Sequence, residues 1–247
     1  MSSVHSNDEP LHTALPELSP YLDGNRYTRF KEDHKNIVRK LSEFFDPSQP
    51  VSLVDVGCGN GELLFVIKNA FSHWELQGSD ATPEYIEVAR QFEGLAGVNF
   101  SCESLFDLSG VFDVVVSTGL VEIFQDSEPV VKKLIDLCKP GGWMISDGIF
   151  NPYPVDVRLQ FCDKSKEEGR ETWRTDWNMH SQQTLRELLE GHVASIEFEE
   201  VIMDMDLPFD PSKPAFATFT FRDADGKNIQ TNGLNIIKNK HLMIVRK

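Results

Sequence analysis

Gly57, Gly59 and Gly61 fall within five positions, directly behind the β-branched run of "VSLVDVG". Glycine weakens local order, so three of them at the end of a buried strand imply that the backbone itself must come close to something. A helical pattern, "GELLFVIKNAF", starts at the last of them, and a helix N-terminus offers unpaired N–H groups to a negative group. Strand, glycine turn and helix together make a nucleotide-type site. A dinucleotide fingerprint, G-x-G-x-x-G, would need its last glycine at position 62, which is Glu62. Carboxylates frame the turn: Asp55 stands two residues before it, and Asp80 closes the next strand pattern. Cys58, between two glycines, reads as a small packing residue rather than a nucleophile.

The elements that must position these groups follow from hydrophobic period. "FKEDHKNIVRKLSEFF" puts Ile37, Val38, Leu41, Phe44 and Phe45 on one helical face, and "DPSQP" breaks it. "VSLVDVG", "WELQGSD", "VNFSCE", "FDVVVSTG" and "WMISDGIF" read as strands. Between them, "GELLFVIKNAF", "TPEYIEVARQF" and "EPVVKKLIDLCK" read as helices, with Pro83 in a first turn and "PGG" ending the last. Alternating strand and helix with short turns predicts an α/β fold, a mostly parallel sheet covered on both faces. The rhythm breaks after Phe150. Residues 151–180 are polar, aromatic and too long for a simple connection. "SQQTLRELLEG" resumes as a helix capped by Ser181, "ASIEFEEVIM" is a sixth strand, and "FATFTFRDADGKNIQTNG" is a hairpin turning at Asp223 to Gly226. "HLMIVRK" is a last strand. The predicted parts are a flexible tail (1–20), an N-terminal cap helix (21–48), a ligand-binding half (49–150), a cap insertion (151–180) and a C-terminal part of the same sheet with the hairpin (181–247).

The balance of 39 acidic against 24 basic residues, a formal net charge of −15, argues against broad nucleic-acid or anionic-membrane binding. Locally, Arg26, Arg29, Lys31, Lys35, Arg39 and Lys40 are either a solvated helix face or a patch that greets an acidic substrate. Cys58, Cys102, Cys138 and Cys162 are widely spaced without C-x-x-C, so neither a zinc site nor a disulfide framework is indicated, and no metal is assigned. With no signal-peptide core and no long apolar run, the expectation is a reducing, cytoplasmic setting.

Gly57-x-Gly59-x-Gly61 with Asp55 before it resembles the first motif of class I S-adenosylmethionine (SAM)-dependent methyltransferases. "SDATPEYIEVAR", "SCESLFDL", "FDVVVSTGLVEIF" and "LCKPGGWMISD" resemble later segments of that family in the expected order, over residues 50 to 150. The resemblance implies a Rossmann-like, seven-stranded methyltransferase fold and SAM as cofactor. The contacts it implies fall on Asp55, Gly57, Cys58, Gly59 and Gly61 at the glycine turn. Asp80 would accept the ribose hydroxyls beside Ala81, Glu103 would meet the adenine amino group beside Ser104, and Ser117 and Thr118 would line the cofactor.

The implied activity is methyl transfer to an oxygen, or a nitrogen, of a small polar metabolite or sugar. "FNPYPVDVRLQF" and "WNMHS" are similar to uncharacterised bacterial methyltransferases near surface-glycan genes. The alternatives are a non-catalytic SAM-binding scaffold and, more weakly, a nucleic-acid methyltransferase; "NPYP" is spelled and placed differently from the base-holding motif of the latter. Ile123 stands where small-molecule relatives often carry a histidine. A hydroxyl acceptor needs a base, for which His180, Asp147 and Asp156 are available. Arg26, Arg29 and Arg158 would clamp an anionic acceptor, whereas Tyr27, Tyr153 and Trp177 would face a neutral one.

Overall fold

The computed structural model describes residues 27–28, 30–165 and 171–247. The expected tail, Tyr21, Arg26 and Arg29 lie outside the described residues.

Helix α1 (Glu32–Phe44) buries Ile37 and Leu41 completely, as their four-residue spacing requires, and Phe44 stacks on Trp143 at 3.9 Å. Strand β1 (Ser52–Val56), helix α2 (Glu62–Ala70), strand β2 (Glu75–Asp80), helix α3 (Pro83–Gln91) and strand β3 (Asn99–Cys102) follow without long connections. Strand β4 (Phe112–Thr118), helix α4 (Glu128–Asp136) and strand β5 (Cys138–Gly148) complete the first half. Helix α5 (Gln182–Leu189) is capped by Ser181, whose Oγ accepts the Thr184 N–H at 3.0 Å. Strands β6 (Ser195–Glu200) and β7 (His241–Arg246) end the sheet.

The seven strands lie in the order β6-β7-β5-β4-β1-β2-β3. Strands β1 to β5 pair in parallel, and β7 runs antiparallel between β5 and β6. Successive residues serve opposite faces. Leu53, Val114, Val116, Ile145, Leu242 and Ile244 pack with α1, α2 and α3; Val54, Val115, Met144, Met243 and Val245 pack with α4 and α5. The central strands therefore present apolar residues to both faces, as a sheet covered on both sides needs.

The glycine pair of "PGG" departs from the expected role of helix terminator. Helix α4 stops at Asp136, and β5 already starts at Cys138, opposite Phe112. The register slips between Phe112 and Val114, and a Cβ on Gly142 would stand 2.9 Å from the carbonyl oxygens of Asp113 and Lys139. The glycines serve an irregular strand, not a turn. Residues 151–180 form short pairings: Phe150–Asn151 with His180–Ser181, and Gln160–Phe161 with Arg174–Thr175. The expected hairpin is present as Phe219–Arg222 against Asn228–Thr231. No helix among the described residues is long and apolar enough to cross a membrane.

Candidate functional site

Strand β1 pairs with β2 on one side and β4 on the other, so a crevice opens where the chain reverses direction across the sheet. The glycine loop fills its floor. The N–H groups of Gly57 and Cys58 both donate to the Ser79 carbonyl, at 2.8 and 3.0 Å, strapping the loop to the end of β2. Gly59 N–H donates to Asp80 Oδ2 at 2.9 Å, and Asp80 Oδ1 accepts the Thr82 N–H at 2.8 Å. Gly61 has φ +85°, and a Cβ there would meet Leu95 at 2.7 Å; it lets α2 sit close to the sheet. Above the loop lies a cavity of about 1890 Å³.

Of the residues implicated by sequence at the cofactor end, Gly57, Cys58, Gly59, Asp80, Ala81, Glu103, Ser104 and Thr118 line this cavity. Gly61, Asp55 and Ser117 lie beneath its wall. Ser117 is fully buried, its Oγ donating to Ser146 Oγ at 2.8 Å. The Cys58 thiol is pushed well up, by burial first and then by the charges of Asp55 and Asp80, which makes it a poor nucleophile.

Asp55 bears most directly on the ligand. It is buried, and its Oδ1 has no hydrogen-bond partner. Burial and the neighbouring charge of Asp80 push it up to about 8. Among the described residues no salt bridge reaches either carboxylate, and Lys31 acts on Asp55 only at a distance. SAM brings an ammonium and a sulfonium at one end and ribose hydroxyls at the other, and Asp80 retains lone pairs for the latter. The residues present fit that group.

The rear of the cavity is closed by an ion triad. Lys240 Nζ donates to Asp147 Oδ2 at 2.6 Å and to Asp33 Oδ2 at 3.0 Å, and Asp147 Oδ1 accepts the Gly119 N–H at 2.7 Å. Burial opposes ionisation of all three. At Asp33 the charges of Lys240, His34 and Lys31 outweigh it and hold the carboxyl well below its usual range; at Asp147 burial wins and raises it to about 7.

The expected acceptor residues are dispersed. Trp177 lines the cavity. Tyr27 is a buried prop: its hydroxyl donates to the Asn60 carbonyl at 2.6 Å, and its ring stacks on Phe92 at 3.7 Å. Tyr153 is 72% exposed on a surface turn, and Arg158 is exposed too; neither lines the cavity. The expected bases also face elsewhere. His180 is buried with Nε2 3.1 Å from the Phe124 carbonyl, and Asp147 is fully buried in the triad. Asp156 accepts the Ser181 N–H and the Thr184 hydroxyl.

Residues that sequence reasoning passed over make up that wall. Asp176 and Glu122 line it, as do Lys238 and Lys240. Asn178, fully buried, fixes the segment: its Nδ2 donates to the carbonyls of Glu122 and Phe124 at 2.9 and 3.1 Å, and its Oδ1 accepts the Leu159 N–H at 2.9 Å. Met203, Met205 and Leu207 complete the wall, from a stretch whose strict apolar–acidic alternation, "MDMDL", was the available signal.

A family pattern described as "Methyltransferase domain" matches residues 54–144. The ubiquinone biosynthesis O-methyltransferase of Chelativorans sp. (strain BNC1) is 28% identical over 140 residues, 55% of this chain and 51% of that protein. The chain thus spans about half the length of the curated relatives it matches. Among solved structures, magnesium protoporphyrin IX methyltransferase from Synechocystis PCC 6803 with bound SAM superposes with a TM-score of 0.56 at 15% identity, covering 95% of this chain and 99% of that one. The Burkholderia thailandensis 1,6-didemethyltoxoflavin-N1-methyltransferase gives 0.53 at 15% identity, covering 93% and 84%. With the strand order and the glycine-floored crevice already in place, residues 54–144 match the methyltransferase-domain family, and the chain has the fold of the SAM-dependent methyltransferases it resembles.

Proposed function

We propose that this protein transfers the methyl group of SAM to an oxygen or nitrogen of a small molecule. The observation that carries the reading is the pairing of a glycine loop with two carboxylates, one of them, Asp55, buried with an orphaned oxygen. In this reading the backbone of Gly57 to Gly61 receives the amino-acid end of SAM, Asp80 accepts the ribose hydroxyls, and Glu103 and Ser104 meet the adenine. Thr118 lines the cofactor's path toward the acceptor.

SAM supplies a methyl group already activated on sulfonium, so the chain's task is alignment and exclusion of water. Met203, Met205, Leu207 and Trp177 serve the second part by walling the cavity with apolar surface. Carboxylates outnumber the lysines and arginines around it, which disfavours a polyanionic acceptor such as nucleic acid.

Calorimetry with SAM and its demethylated product tests the reading. Both should bind, and Asp80→Ala should weaken both by roughly 1–3 kcal/mol through lost charge-assisted hydrogen bonds. A protein that binds NADH but not SAM would keep the fold and lose the function.

A further inference from the structure

Trp177 differs from the rest of the cavity wall in its backbone. Its φ is +55°, and among the described residues only Asn235 shares a positive φ without being glycine. A bulky aromatic residue is strained in that left-handed region and leaves it unless its neighbours hold it there. Here they do. Asp176 Oδ1 accepts the Trp177 N–H at 2.7 Å, and the residue is 8% exposed, packed with Ile149 and Ile236 and stacked with Phe161 at 5.3 Å.

The stronger hold lies one residue on. Asn178 is fully buried, and its backbone N–H and its Nδ2 both donate to the Glu122 carbonyl at 2.9 Å. Nδ2 also reaches the Phe124 carbonyl at 3.1 Å and Thr175 Oγ1 at 3.0 Å, while Oδ1 accepts the Leu159 N–H at 2.9 Å. Removing that one side chain strands several polar groups in the interior. Glu122 and Phe124 belong to the turn after β4, which includes the single helical turn Val121–Ile123. The same turn begins with Thr118, Gly119 and Leu120 on the cavity wall. Glu122 Oε2 accepts the Ile149 N–H at 3.0 Å, which ties the turn to the end of β5. One end of this turn thus faces the cavity, and the other holds Asn178.

Resting on the methyl-transfer reading above, we propose that Asn178 is a positioning residue that couples the two ends of the cavity. Cofactor bound against Thr118 to Leu120 steadies the turn, and the turn's carbonyls hold Asn178. Asn178 in turn holds Trp177 in its strained backbone on the acceptor wall. Without cofactor, the strain at Trp177 works against this clamp, and the segments around Leu159 and Trp177 open more often. A ligand shifts such an equilibrium only by its differential affinity for the two forms. Here the difference is the set of contacts at Thr118 to Leu120 that exist only while the turn is in place. The acceptor therefore finds its full surface only on the loaded protein.

Hydrogen exchange read by mass spectrometry on the intact protein, free and saturated with S-adenosylhomocysteine, tests the coupling. In the wild type, S-adenosylhomocysteine should slow exchange at the glycine loop and also, roughly fivefold or more, in residues 157–163 and 174–179. Asn178→Ala should keep the slowing at the glycine loop and lose it in the two remote segments. A second pair of variants reads the clamp with Asn178 in place, even where Asn178→Ala does not fold. Glycine accepts the left-handed backbone and alanine is strained there. In the free protein the two segments should therefore exchange roughly fivefold more slowly in Trp177→Gly than in Trp177→Ala. Segments that ignore S-adenosylhomocysteine in the wild type, or still respond to it in Asn178→Ala, overturn the proposal. Equal exchange in the two Trp177 variants, or faster exchange in the glycine one, overturns the strained clamp. Failure to bind S-adenosylhomocysteine at all sinks the methyl-transfer reading, whereas binding without the remote slowing sinks the coupling alone.

Discussion

At the cofactor end, the cavity is bounded by three short loops, each directly following a strand: Gly57 to Gly61 after β1, Asp80 to Thr82 after β2, and Glu103 to Phe106 after β3. At the acceptor end, residues 118–126, 161–163, 174–177 and 200–240 converge from separate parts of the chain. The first end is held by backbone hydrogen bonds from loop to strand, as from Gly57 and Cys58 to Ser79. The second is held by side chains, chiefly Asn178 and the Lys240 triad. A site made of backbone tolerates sequence change so long as the glycines remain. A site made of side chains can be redrawn by single substitutions, and it is where specificity can vary on one fold.

The contrast can be broken most forcefully at Lys240, which holds the acceptor end. Lys240→Met strands Asp33 and Asp147 in the interior without their cation, and should cost about 3 kcal/mol of stability, since a lone buried charge is far worse than a pair. Urea unfolding reads the loss. A variant that unfolds at the wild-type midpoint would show the triad to be ornamental.

The cofactor end is sharpened by pH. Asp55 holds its proton up to about 8 in the free protein, and a bound cation favours its ionised form. Binding therefore releases a proton, and affinity for SAM should rise with pH from about 6 to about 8. Asp55→Asn should flatten that slope. The stability sign is the reverse. A carboxyl raised from 3.8 to about 8 on folding contributes stability that is complete below the lower value and lost as pH rises through the upper one. Asp55→Asn should thus stabilise the free protein most at alkaline pH. Calorimetry and thermal unfolding across pH decide both; a pH-independent affinity in the wild type would mean that no cation completes Asp55.

The smallest effect belongs to Tyr153. Exposed and outside the cavity, it should tolerate Tyr153→Ala within about 0.5 kcal/mol and without change in methyl transfer. A large loss of turnover would move the acceptor site outward onto the surface turn.

The sequence was legible where chemistry is local. Strand period, the glycine spacing and Asp80 at a strand end all concern residues within a few positions of each other, so the fold and the glycine-floored crevice could be read directly. "PGG" was misread because a bulge depends on the partner strand, which the sequence of β5 does not contain. His180 and Asp147 were candidate bases because they lie near the cap in sequence. Which way they face is decided by neighbours 56 and 93 positions away, the Phe124 carbonyl and Lys240. Asp176 and Lys238 went unnoticed for the same reason: each is an unremarkable charge until the fold sets them on one wall.

The ion pair from Asp33 to Lys240 joins residues 207 positions apart, and β7, later in sequence than β6, lies between β6 and β5. Such closures carry little equilibrium penalty, growing only logarithmically with separation, but they govern when a structure can form. The glycine loop and strands β1 to β4 need only contacts among residues 51–118 and can assemble while the chain is still being made. The docking of β6 must wait for β7, and so must the ion pair that ties Asp33 of α1 to Lys240. The floor of the cavity thus precedes its rear wall, which is complete only when Lys240 arrives.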